Sequence, residues 1–200
     1  FFEKTPIHID AEEDTPSKNL FLSEGADITL VLDPIDGTLQ YINGSKEWAI
    51  CIALLSQGKV LTALVYLPMY KTLYLLDSDG RVYVCESEHL KITHKKLLES
   101  PTGIQKETIY VNHGVSGKMI ERLSEKFKVV KDVDGEVDWS QALLKCISGE
   151  YAASILLKPQ IRDVLIGAMI EKLSNGYAVD FKGESIDWPN GGRIPEVIFG

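Results

Sequence analysis

The chain has 200 residues, with 21 Lys and Arg against 29 Asp and Glu and a formal net charge of −8. An acidic chain repels a phosphate backbone, which excludes a nucleic-acid polymer as partner, while 44% hydrophobic and 25% charged residues describe a folded domain rather than a disordered one. No apolar run approaches the ~20 residues that span a bilayer, so no membrane role is expected, and the odd, widely spaced Cys51, Cys85 and Cys146 fit a reducing compartment, the cytoplasm, with neither a disulfide framework nor zinc spacing.

The chain opens on Phe1-Phe2-Glu3-Lys4, without an initiator Met and without the grammar of a secretory signal, and reads as a start within a longer protein. Residues 10–27 are polar and turn-rich, with Asp10, Glu12, Glu13 and Asp14 close together. Ile28–Leu32 reads as a buried strand, stopped by the Pro and Gly of Asp33-Pro34-Ile35-Asp36-Gly37-Thr38. Thr38–Ile42 is expected to form a helical turn. Four strands follow over Trp48–Leu55, Lys59–Leu67, Lys71–Leu76 and Arg81–Cys85, and the turns Gln57-Gly58 and Ser78-Asp79-Gly80 make them an antiparallel meander.

The pattern changes near residue 101. Strands are predicted at Thr108–Val111, Lys128–Val130 and Tyr151–Leu157, and helices at Ser116–Phe127, Asp138–Ser148 and Arg162–Leu173, the last ending before Asn175-Gly176. Gly176–Asp180 and Glu196–Phe199 are expected as short final strands. Residues 1–100 therefore read as an antiparallel-sheet half and 101–200 as a mixed α/β half, an α+β arrangement overall.

The string Asp33-Pro34-Ile35-Asp36-Gly37-Thr38 carries the chemistry. Two carboxylates three residues apart at a strand end, with a restricted turn between them, can aim both side chains and the Ile35 carbonyl at one hard divalent cation. Free N–H groups at the start of the following turn would favour an anion beside it. Asp-x-x-Asp alone also fits an ordinary acidic turn at a strand end.

The six residues together resemble the signature of the inositol monophosphatase family of metal-dependent, lithium-sensitive phosphatases. Ala11-Glu12-Glu13-Asp14 resembles the family's Gly-Glu-Glu, and Arg162-Asp163-Val164-Leu165-Ile166-Gly167-Ala168 resembles its Trp-Asp-x-Ala-Ala-Gly, with Arg162 in place of Trp. The resemblance implies a five-layer α-β-α-β-α sandwich, here without the family's first helices. It further implies that Glu12, Asp33, the Ile35 carbonyl, Asp36 and Asp163 are metal ligands and that Glu13 is a supporting carboxylate. Thr38 would orient the attacking water, and Gly37, Thr38 and Ser140 would face the phosphate or the substrate. The implied cofactor is Mg²⁺, two or three ions with Mn²⁺ as a substitute, and the implied reaction is hydrolysis of a small phosphorylated metabolite by metal-activated water. The family's water-activating Asp lies well upstream of Gly-Glu-Glu and has no equivalent here. Dimerisation is usual in the family.

The substrate stays open between an inositol phosphate, 3′-phosphoadenosine 5′-phosphate and a sugar bisphosphate. Tyr41 and Glu47 match the nucleotide branch, whereas Leu39-Gln40 departs from it. The inositol branch's substrate-holding Glu falls at Leu156, which cannot bind hydroxyls. Tyr41 and Trp48 read as core packing rather than base stacking. Ser140 reads equally as a helix N-cap, and His113 as a solvated loop residue. Two rival readings are a family member that binds metal as a scaffold without turnover and a calcium-binding module, the latter weakened by the lack of a spaced Asp loop.

Overall fold

The computed structural model describes residues 6–13, 16, 26–88, 91–100, 107–131, 139–189 and 192–200. Most of the polar stretch 10–27, including Asp14, and the expected helix start at Asp138 lie outside the described residues.

The first sheet takes its strands in chain order: β1 (Ile7–Ala11), β2 (Ile28–Asp36), β3 (Ala49–Ser56), β4 (Lys59–Leu67), β5 (Thr72–Leu76), β6 (Val82–Glu88) and β7 (Lys91–Leu97). From β2 to β7 every neighbour is antiparallel, as the turn signals require, whereas β1 runs parallel to β2. Along β3 the side chains alternate, with Ala49, Cys51, Ala53 and Leu55 buried and the residues between them half-exposed. β1 and β7 are absent from the sequence reading. β7 (KITHKKL) is exposed along its whole length, so it carries no apolar alternation, and its backbone pairing with β6 alone makes it a strand.

The second sheet has the order β11-β12-β10-β8-β9, built from β8 (Thr108–Val111), β9 (Lys128–Lys131), β10 (Ala153–Leu157), β11 (Ala178–Val179) and β12 (Glu196–Phe199). β8 is parallel to both β9 and β10, while β12 runs antiparallel to β10 and β11, so the sheet is mixed as expected.

Four helices accompany the sheets among the described residues: α1 (Thr38–Ile42), α2 (Gly117–Ser124), α3 (Trp139–Ile147) and α4 (Leu165–Ile170). α2 starts where Ser116 accepts a hydrogen bond from the Met119 N–H, which satisfies one of the helix's free donors. The single helix expected over Arg162–Leu173 is instead a 3₁₀ turn, Arg162–Val164, followed by α4. Every residue of α4 is buried, because it lies between the sheets. It packs on β3, β4 and β5 on one side and on β11 on the other, beside α3. One core joins Val31, Cys51, Leu55 and Val65 of the first sheet to Leu143, Ile166, Met169 and then Leu156 and Phe199 of the second. A separate core seats Met119, Ile120 and Leu123 of α2 on the other face of the second sheet, against Ile109, Val111 and Ile155. The layers thus run sheet, α3 and α4, sheet, α2, in the alternating order expected from the sequence.

Gly167 sets how closely α4 approaches β12. A Cβ there would lie 2.1 Å from the Phe199 ring, and both residues are buried. Gly167→Ala forces Phe199 out of its place and is expected to cost about 1–3 kcal/mol. Urea unfolding at equilibrium checks this, and a stability equal to wild type would contradict the close approach.

Candidate metal and phosphate site

β2 does not stop at Leu32. It continues through Pro34 to Asp36, and its pairing with β3 slips between Asp33, opposite Cys51, and Asp36, opposite Ala49. Two residues of β2, Pro34 and Ile35, there oppose the single residue Ile50, which is a β-bulge. The consequence is geometric. In a regular strand, residues three apart face opposite sides, but the extra residue returns Asp36 to the side of Asp33. Both are buried, at 2% and 5% exposure, while Pro34 and Ile35 stay half-exposed. The Ile35 N–H turns back to the Asp33 carboxylate, 3.0 Å from Oδ1.

Asp33 is not alone. Glu12 follows β1, held by its N–H to the Leu32 carbonyl at 3.2 Å, and its side chain hydrogen-bonds to Asp33. The charge of Asp163, in the 3₁₀ turn ahead of α4, also acts on Asp33. Burial, the Glu12 hydrogen bond and the two neighbouring negative charges push the Asp33 carboxyl up to about 8, against the smaller opposing effect of the Ile35 N–H. Asp163 is oriented by its own turn, where the Gln160 N–H donates to Oδ2 at 3.2 Å.

Asp36 is held from the other half of the chain. The Ser140 hydroxyl of α3, buried at 1% exposure, donates to Asp36 Oδ2, and the Cys51 thiol lies 3.7 Å from the same oxygen. Ser140 therefore sits inside α3 and spends its proton on Asp36 rather than capping the helix. After Asp36 the backbone turns at Gly37 with φ +83°, where a Cβ would lie 3.1 Å from the Glu47 carbonyl, so a glycine is required. Thr38 then begins α1, exposed, with its hydroxyl donating to the Ile35 carbonyl at 3.1 Å.

The structure thus brings Glu12 and Asp163 to bear on Asp33, places Asp36 three residues along the same bulge, and leaves Glu12 and Glu13 exposed beyond β1. Among the described residues, no three His, Cys, Asp or Glu side chains close tightly enough to hold a metal ion as they stand. The candidate donors are nonetheless carboxylate oxygens and the Ile35 carbonyl, a set that would suit Mg²⁺ or Mn²⁺ rather than a soft metal. Cys51 went unrecognised in the sequence as a neighbour of Asp36. It carried the signal of a buried position in an alternating strand.

The remaining residues singled out in the sequence take the following positions. Tyr41 is 48% exposed and meets Trp48 edge-on at 5.0 Å, so it is a surface aromatic and not core; Trp48 is partly buried. Glu47 accepts a hydrogen bond from the Tyr70 hydroxyl. Leu156 is fully buried in β10. His113 is exposed, with its ring 6.2 Å from that of Trp139. Among the described residues, no helix is long and apolar enough to cross a membrane.

Comparisons with known proteins agree with this architecture. The chain is 25% identical over 174 residues to the fructose-1,6-bisphosphatase/inositol-1-monophosphatase of Thermotoga maritima, covering 84% of this chain and 64% of that protein. It is 34% identical over 167 residues to the Nus factor SuhB of Pseudomonas aeruginosa, covering 80% of this chain and 59% of that protein. It therefore spans less than two thirds of either relative's length. Its fold matches inositol monophosphatase-II from Staphylococcus aureus with a TM-score of 0.74 at 19% identity, over 100% of this chain and 71% of that one. The family model of the inositol monophosphatase family matches residues 2–196, and the chain belongs to that family.

Proposed function

We propose that this chain forms the core of a Mg²⁺-dependent phosphomonoesterase acting on a small phosphorylated metabolite. The observation that carries the reading is that Glu12 and Asp163, from two distant segments, both act on the buried carboxyl of Asp33. A buried carboxyl flanked by two further carboxylates, the exposed Glu12 and the half-buried Asp163, suits a cation that offsets their charge, and the family match supplies the context.

Bound Mg²⁺, two or three ions, would neutralise the phosphate oxygens and lower the pKa of a water. In this reading the 1–100 half supplies Glu12, Asp33, the Ile35 carbonyl and Asp36 as ligands, with Glu13 as a supporting carboxylate. The 101–200 half supplies Asp163. Ser140 fixes the rotamer of Asp36 through its hydrogen bond, and Cys51 lines the same oxygen. Gly37 and Thr38 open α1 beside the donors and are assigned to the phosphate. The Thr38 hydroxyl, anchored on the Ile35 carbonyl, keeps its lone pairs for a water it would orient. The exposed Tyr41, a few residues further along α1, is available to a substrate where a core residue would not be. Inositol phosphates, nucleotide bisphosphates and sugar bisphosphates remain the substrate classes, the cytoplasm is the proposed location and a homodimer the proposed state.

A second reading, a scaffold that binds metal without turnover, is favoured by two observations. The relative at 34% identity is named as a Nus factor, and Arg162 stands where the family motif has Trp.

With the full chain, phosphate release from a panel of those three substrate classes is expected to require Mg²⁺ and to be inhibited by lithium. No release from any of them, with Mg²⁺ still bound, selects the scaffold. Asp36→Asn is expected to abolish release while near-ultraviolet circular dichroism stays that of wild type; retained activity would remove Asp36 from the site. Ser140→Ala is expected to lower activity on the order of tenfold, as losing a ligand's hydrogen-bond partner generally does. Steady-state kinetics at saturating Mg²⁺ provides the check.

A further inference from the structure

The segments carrying Glu12 and Asp163 are not paired with each other as strands. β1 pairs with β2 in the first sheet, and Asp163 lies in the 3₁₀ turn that packs on β2 and β3. An ion pair joins them. Arg162 Nη1 lies 3.5 Å from Asp10 Oδ1, and the two side chains are only 20% and 18% exposed. The other Asp10 oxygen accepts from the Gly192 N–H at 3.3 Å, and the Gly192 carbonyl accepts from the Ile161 N–H at 2.8 Å, next to Arg162 in the chain. Asp10, Gly192, Ile161 and Arg162 thus close a ring of contacts. Asp10 stands two residues before Glu12, and Arg162 one residue before Asp163.

We propose that the Asp10–Arg162 pair is a strut that sets the separation of Glu12 and Asp163 across Asp33, and that both are positioning residues for cation binding. The inference rests on the metal reading given above.

Three features favour it over an incidental surface contact. The pairs Lys95–Asp77, Arg81–Asp79 and Lys145–Glu150 are all more exposed, with side-chain exposures from 36% to 64%, and exposed pairs contribute little. Arg162 is held despite a cost, since its Nε is buried with no hydrogen-bond partner among the described residues. The carboxylates it separates repel one another, so their spacing needs an external restraint. A Trp at position 162, as in the family motif, could fill the space but could not pair with Asp10. The strut is therefore a property of this chain.

The test measures Mg²⁺ binding by titration calorimetry on the full chain as wild type, Asp10→Asn, Arg162→Gln and the double variant, with Tm in EDTA recorded beside it. Each single substitution is expected to weaken Mg²⁺ binding about tenfold, the usual scale for outer-shell partners. The double variant is expected to be no weaker than the worse single one, because one interaction is lost in all three. Folded single variants that bind Mg²⁺ as wild type does, whatever their Tm, overturn the strut, as do additive losses in the double variant. Where Asp10→Asn does not fold, Asp10→Glu, which keeps the charge and lengthens the strut, decides: weakened binding supports the proposal and unchanged binding overturns it. A wild-type chain that binds no Mg²⁺ overturns the metal site itself, and the strut with it.

Discussion

Asp33 and Asp36 share one buried side of a sheet, and an alternating strand cannot place residues three apart on the same side. β2 meets the constraint by inserting a residue between them. The details of Asp33-Pro34-Ile35-Asp36 follow from that insertion. Pro34 has no N–H to offer a ladder, so it suits a position where regular pairing lapses. The Ile35 N–H bonds the Asp33 side chain, and the Ile35 carbonyl takes the Thr38 hydroxyl. Gly37 then turns the chain at φ +83°, a conformation that favours glycine, with the Glu47 carbonyl close by.

Placing carboxylates together in a partly dry site is unfavourable, and the surrounding structure opposes it with neutral donors and restraints. Ser140 and Cys51 converge on one oxygen of Asp36, and Gln160 holds Asp163. Burial, the Glu12 hydrogen bond and the neighbouring negative charges hold the Asp33 carboxyl well above the usual carboxylate range. A site with this imbalance is suited to a ligand that brings positive charge.

The layered fold serves the site by bringing its parts together from far along the chain. α4 is apolar on every side because it fills the space between two sheets, and the turn before it delivers Asp163 to the end of β2. α3, packed beside α4, delivers Ser140 across 104 residues of sequence. The missing side chain at Gly167 lets α4 lie against Phe199 of the second sheet.

The sequence by itself determined the meander from β2 to β6, the mixed second sheet and the family, because alternation, turn residues and a six-residue signature are local properties. Lys59–Leu67, Thr108–Val111 and Glu196–Phe199 coincide with their predicted spans for that reason. It did not determine β7, whose polar residues carry no pattern, or β1, which is a strand only because β2 lies beside it. Nor could spacing show that β2 runs on through a proline, or that the predicted helix after Ile161 starts as a 3₁₀ turn. The grip of Ser140 on Asp36, the surface position of Tyr41 and the Asp10–Arg162 pair were decided by tertiary structure alone. Each depends on which segments the layers bring within a few ångströms of one another, and no local pattern encodes that distance.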